Sequence, residues 1–224
     1  MGILKELTKE YFGEKVRKED EIDIFGLEVE IVSFKDNNGK YHERGYKPKD
    51  RDTLKKLLKR MIEVRGDEGD FNDIDTSEIT SMLMLFFGNT TFNGDISGWK
   101  FQKVSTTSLM FCGATSFNQD ISKWKFPNVR DMNSMFYCAK SFNQPIGDWE
   151  FPNVTDMGGM FYGVTSFNQP IGNWKFPKVT DMNRMFYNAT SFNQDLSKWD
   201  LKGKSTTDMF FNCPLVDKYK QKMK

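Results

Sequence analysis

The chain has 224 residues, 38% hydrophobic and 28% charged, a globular balance too polar for a membrane-spanning protein. Its 32 Lys and Arg stand against 31 Asp and Glu, interleaved rather than blocked, so no long-range field gathers nucleic acid or anionic lipid.

The opening MGILKELTKEYFGEKV alternates apolar with charged residues and lacks the uninterrupted apolar run of a secretory signal, so the chain reads as cytoplasmic. Glu6 stands where a myristoylation signal needs Ser or Thr. Ile3, Leu4, Leu7 and Tyr11 predict a helix, and Ile22, Ile24, Leu27, Val29 and Ile31 alternate as a strand with a bulge at Gly26. Asn37-Asn38-Gly39 predicts a hairpin turn into Tyr41–Tyr46. Residues 1–49 therefore read as a small α+β appendage. Residues 50–66 read as a capping helix, because Leu54, Leu57, Leu58, Met61 and Ile62 share one face behind Asp50 or Asp52 as N-cap.

From there the chain repeats. Trp99, Trp124, Trp149, Trp174 and Trp199 lie 25 residues apart, as do Phe92, Phe117, Phe142, Phe167 and Phe192, each followed by Asn. Phe86, Phe111, Phe136, Phe161, Phe186 and Phe211 keep the same step. Several columns in one register predict stacked coils, one repeat per coil, over residues 67–215. A degenerate first coil covers 67–91, with Phe71 in place of Ile96 and Ile74 in place of Trp99. Residues 216–224 read as a short lysine-rich tail.

Within a coil, the alternation over Ile121–Pro127 predicts a short strand ending at proline. Apolar spacings of three and four from Val129 to Ala139 predict one or two helical turns, with Asp131, Asp156 and Asp181 as N-caps. The expected fold class is an α/β solenoid: a leucine-rich-repeat-like stack of 25-residue strand-plus-short-helix coils with a small α+β N-terminal cap. Cys138 and Cys213 would share a column three coils apart, too far to bridge, whereas Cys112 and Cys138 sit in adjacent columns of adjacent coils, a placement that permits a disulfide. We read all three cysteines as reduced small apolar residues, in keeping with a reducing compartment.

The recurring S-F-N-Q-x-I-x-x-W-x-F-P-x-V-T-D-M-x-x-M-F resembles the BspA-like leucine-rich repeats, in the 25-residue form common in mycoplasma surface lipoproteins and found in other bacteria. The stretch from Tyr46 to Leu57 is similar to the lead-in helix before such repeats. The resemblance implies a surface adhesin or binding protein without general catalytic activity. This chain departs from it in showing no signal peptide or lipobox cysteine.

Catalytic sets are missing by count. His42 is the single histidine, which excludes a histidine triad or a two-histidine zinc site. No C-x-x-C pair, Walker motif or G-x-G-x-x-G occurs. We expect no enzyme, no cofactor and no metal. The Asn column, Asn93, Asn118, Asn143, Asn168 and Asn193, reads as buried amides serving turn backbone, and the Trp and Met columns read as core. Specificity belongs where columns vary while pointing outward, beside each Trp: Lys123, Lys125, Asp148, Glu150, Asn173, Lys175, Lys198 and Asp200. Their mixed signs fit a protein or peptide partner, not nucleic acid, and no membrane insertion. The expected function is a non-enzymatic binding module using the strand face; the alternative is a bacterial surface adhesin or structural surface protein whose export signal is absent from this chain.

Overall fold

The computed structural model describes residues 26–35 and 39–215. The expected N-terminal helix, Ile22, Ile24, Asn37, Asn38 and the 216–224 tail lie outside the described residues. Strand β1 (Val29–Lys35) pairs antiparallel with β2 (Tyr41–Pro48), and helix α1 spans Arg51–Arg65. The register slips between Val32 and Phe34, so the irregularity lies there and not at Gly26, which holds φ 73° ahead of β1.

Helix α1 starts at Asp50, whose side chain accepts from the Thr53 N–H at 2.8 Å, and stops at Gly66, whose N–H donates to the Ile62 carbonyl. Its Leu54, Leu57, Leu58 and Met61 are buried in the common core. Two arginines tie the helix to the first coil. Arg51 Nε donates to the Leu83 carbonyl at 2.7 Å, and Arg65 grips both Asp73 carboxylate oxygens at 2.7 and 2.8 Å. Strand β2 joins the same stack, because the Tyr46 N–H donates to the Asp73 carbonyl and the Tyr46 carbonyl accepts from Asp75 N–H. The described part of the appendage is thus continuous with the repeats.

Beyond α1 the chain climbs one rung per repeat. Met132, Ser134, Phe136 and Cys138 donate their N–H groups to the carbonyls of Asp156, Gly158, Met160 and Tyr162 in the next coil, at 2.7–3.0 Å. The intervening Met135, Tyr137 and Ala139 donate back to Met132, Ser134 and Phe136 of their own coil. Isolated parallel bridges join Ser81, Thr106, Asp131, Asp156, Asp181 and Ser205 in succession. No helix or extended strand is present between residues 66 and 215.

That overturns the strand-plus-helix expectation. The segment after Asp131 is a run of tight turns, because Ser134 and Cys138 adopt left-handed φ of 54° and 56°, which an α-helix does not tolerate. Asp131, Asp156 and Asp181 accept from the N–H two residues on, at 2.8–2.9 Å, as Asx-turns rather than helix caps. The segment over Ile121–Pro127 is irregular as well, and the ladder sits instead in the turn ribbon.

The core is a set of ring stacks. Phe111 and Phe136 lie 5.5 Å apart and nearly parallel, and Phe117 and Phe142 6.1 Å apart. Where one coil passes into the next, Phe136 covers Phe142 at 4.0 Å. Each Trp is buried and its indole N–H donates to a carbonyl of the preceding coil, Trp149 to Ile121 at 3.2 Å and Trp174 to Ile146 at 3.0 Å. Indole supplies a large apolar body with one polar atom to satisfy.

The last coil is one residue short. Phe161 donates to Met185, 24 residues on, but Phe186 donates to Met209, 23 on. Phe210 therefore continues the Phe186 column at 5.7 Å, while Phe211 falls on Tyr187 at 4.6 Å, so the expected Phe186–Phe211 column shifts by one. Cys213 accordingly takes the place of Ala189 in the core and does not share a column with Cys138. Lys204 fills the gap, its Nζ donating to the Phe176 and Val179 carbonyls at 3.0 and 2.8 Å.

Three outcomes test this packing. Trp149→Phe keeps most apolar volume but strips the Ile121 carbonyl of its donor, and should cost ~1–3 kcal/mol in chemical denaturation. Thr107 stands in the methionine column of Met132 with a buried hydroxyl that has no partner among the described residues, so Thr107→Val should stabilise by ~1 kcal/mol. Burial first, then the carboxylates of Asp181 and Asp131, push the Asp156 carboxyl above its usual range against the hydrogen bonds it accepts. A raised folded pKa disfavours the charged form, so Asp156 costs stability at neutral pH, and the cost fades as pH falls through the raised pKa towards the unfolded value. Asp156→Asn should melt higher than the parent at pH 7, and the difference should close near about pH 4.

Candidate partner-binding surface

Around each tryptophan the backbone turns one side chain into the core and its two neighbours out. Trp124 is buried while Lys123 and Lys125 are exposed, and the same holds for Asp148 and Glu150, Asn173 and Lys175, and Lys198 and Asp200. All eight candidate residues lie in two neighbouring columns on one exposed strip. Within it Lys198 Nζ donates to Asn173 Oδ1 at 2.9 Å. One column alternates in sign from Lys125 to Asp200 and the other runs Lys123, Asp148, Asn173, Lys198, so the strip offers local charge contrast at rung spacing and not a uniform field.

Stacking explains why this strip is rigid. The Asn93 side-chain oxygen accepts from Asn118 N–H at 2.9 Å, and Asn118, Asn143 and Asn168 repeat that bond to Asn143, Asn168 and Asn193. Gln119, Gln144, Gln169 and Gln194 add a second tie, Gln144 Nε2 donating to the Asn118 carbonyl at 2.6 Å. These amides are spent on backbone. Proline at positions 127, 152 and 177 lies exposed beyond the strip.

A second surface feature lies on the turn ribbon. Tyr137, Tyr162, Tyr187 and Phe211 stack edge-out along the axis at 4.4, 4.7 and 4.6 Å, with rings within 16° of parallel. Phe211 is 52% exposed, and Phe87, in the same column at the other end, 51%. Sequence reasoning passed over this ridge. The signal was available: in each M-F-Y triplet the Phe fills the core, so its neighbour must face outward.

Burial pushes the Cys112, Cys138 and Cys213 thiols up, the last to about 11, which keeps them protonated and weakly nucleophilic at neutral pH. Among the described residues, no cluster of three or more His, Cys, Asp or Glu is arranged to hold a metal ion. No described helix is long and apolar enough to cross a membrane.

No curated protein and no solved structure matches the chain. A family model described as "Mycoplasma protein of unknown function, DUF285" matches it twice, over residues 53–164 and 127–223, the second match offset from the first by about three repeats. Because these matches together cover well over half of its residues, the chain belongs to this repeat-containing Mycoplasma family of unknown function, DUF285.

Proposed function

We propose that the protein is a non-enzymatic binding module, a leucine-rich-repeat-like solenoid of the BspA-like kind, which holds a protein partner against the strip beside the tryptophans. One observation carries this reading. The eight flanking side chains are exposed and differ from coil to coil, while the Phe, Trp and Met beneath them recur and are buried. A frame that repeats with a surface that varies is how stacked-repeat proteins encode a partner.

The partner is a protein or peptide with its own mixed charges. Affinity at such exposed charges rests on several contacts at once, since each surface pair contributes ~0–1 kcal/mol. Reversing Lys123, Lys125, Glu150 and Lys175 together (K123E, K125E, E150K, K175E) should abolish partner capture from a lysate of the producing cells with unfolding unchanged. A control variant, Tyr162→Ser on the ridge, should keep capture. Equal capture by the reversed variant would overturn the strip assignment, and loss only in the control would move recognition to the ridge.

A further inference from the structure

Two thiols meet on the turn ribbon, in columns that hold no other sulfur. Cys112 occupies the column of Phe87, Tyr137, Tyr162 and Tyr187, and Cys138 that of Gly88, Gly113, Gly163 and Asn188. Cys112 lies in the second coil and Cys138 in the third. The rung between them is closed by the Gly113 N–H, which donates to the Tyr137 carbonyl at 2.7 Å. That bond sets Gly113 opposite Cys138, so Cys112 lies one residue along and one rung down. With rungs about 4.8 Å apart and consecutive Cα atoms about 3.8 Å apart, their Cα atoms are roughly 6 Å apart. Disulfides span Cα separations of about 4.4–6.8 Å.

In the Cys138 column a side chain leans back over the preceding coil. A Cβ built on Gly163 would stand 3.8 Å from Cys138 Cα and 3.0 Å from its Sγ, and one built on Gly113 would stand 3.6 Å from Gly88 Cα. The Cys138 Cβ leans likewise over Gly113, but its Sγ lies on the Gly163 side, so closing the pair takes a χ1 rotation towards Cys112. Both thiols are half-buried on the same outer surface, and after burial it is Cys138 that most affects the Cys112 thiol. Both are free in this structure.

We propose that Cys112 and Cys138 are a redox-closable pair, oxidised by a peroxide to a disulfide that staples the second coil to the third. One thiol gives up its proton, and the thiolate, a small fraction because burial pushes both thiols up, attacks the peroxide slowly. Its S–O bond forms as the O–O bond breaks, and it becomes a sulfenic acid as the hydroxide leaves with the proton as water. The other sulfur then displaces the hydroxyl, which departs as a second water with the remaining thiol proton. Two thiols and one hydrogen peroxide become one disulfide and two waters. Cys213, buried in the terminal core, takes no part.

The test uses the full chain, reduced and then treated with hydrogen peroxide. Accessible-plus-denatured thiol titration should fall from three to one, digestion should yield the Cys112 and Cys138 peptides joined, and the melting temperature should rise and return on reduction. Cross-linking constrains the unfolded chain, which is the source of that rise. Cys112→Ser or Cys138→Ser should each abolish the joined peptide, whereas Cys213→Ser should leave it. Thiols that stay alkylatable, that stop at sulfenic acid, or that bridge between chains or to Cys213 would overturn the proposal. Because the parent protein gives the primary result, a poorly folding serine variant does not obscure it.

Discussion

Every repeat leaves half of its turn-ribbon donors pointing along the axis, and only the next repeat can accept them. Met132, Ser134, Phe136 and Cys138 have no acceptor within their own coil. Leaving such groups buried and unpaired costs about 1–3 kcal/mol each, so a coil detached from its successor forfeits several such bonds at once. The same constraint sets the repeat length. A residue gained or lost per coil would move carbonyls off their donors. The last coil shows how the rule bends: its missing residue lies between Trp199 and Ser205, ahead of the ribbon, and the Lys204 ammonium satisfies the Phe176 and Val179 carbonyls there.

Because the backbone is a succession of turns, side chains take over work that helices and strands do internally. The Asn and Gln columns bond backbone to backbone across coils, and the indole N–H of each Trp reaches the carbonyl of an Ile or Phe in the coil before it. Aromatic faces then bury themselves on copies of themselves. Phe136 touches Phe111, Phe161, Phe142 and Trp149, so each ring contributes to three coils. Offset-stacked rings gain about 0.5–1.5 kcal/mol beyond their buried area, and in a ladder that gain recurs at each rung. A leucine in the same place would supply area without this regular rung-to-rung registry.

Legibility followed the same division. The period announced the columns, and the columns announced the core, because Trp and Phe at a constant step have no other place to go. Helix α1 was equally plain from Leu54, Leu57, Leu58 and Met61 behind Asp50. Backbone conformation was not. The spacing of Met132, Met135, Phe136 and Ala139 suits a helix, and nothing in Ser134, Cys138 or Arg184 as residue types announces a left-handed φ. Where glycine stands in these columns, at 88, 113, 159 and 163, and where Asn stands at 188 and 212, the sequence does hint at it. The single deletion in the last coil was hidden because Phe210 and Phe211 are adjacent and either could continue the Phe186 column. The exposed strip beside Trp124 and Trp149 was readable from alternation alone; the tyrosine ridge needed one step more, since a ring reads as core until the Phe before it is seen to occupy that place.

The two surfaces differ in what they can encode. Along the ridge the rings cover one another's faces, so a partner meets only edges and hydroxyls, nearly the same at each rung from Tyr137 to Tyr187. Such a surface has little means of fixing register, because a slip of one coil presents the same atoms. The strip beside the tryptophans has the opposite property. A shift of one coil there sets Lys123 and Lys125 where Asp148 and Glu150 stood, exchanging attraction for repulsion. The repeat itself creates this need: a frame identical at every rung can be gripped in several equivalent ways unless its outward residues break the symmetry. On this chain the symmetry is broken beside the tryptophans.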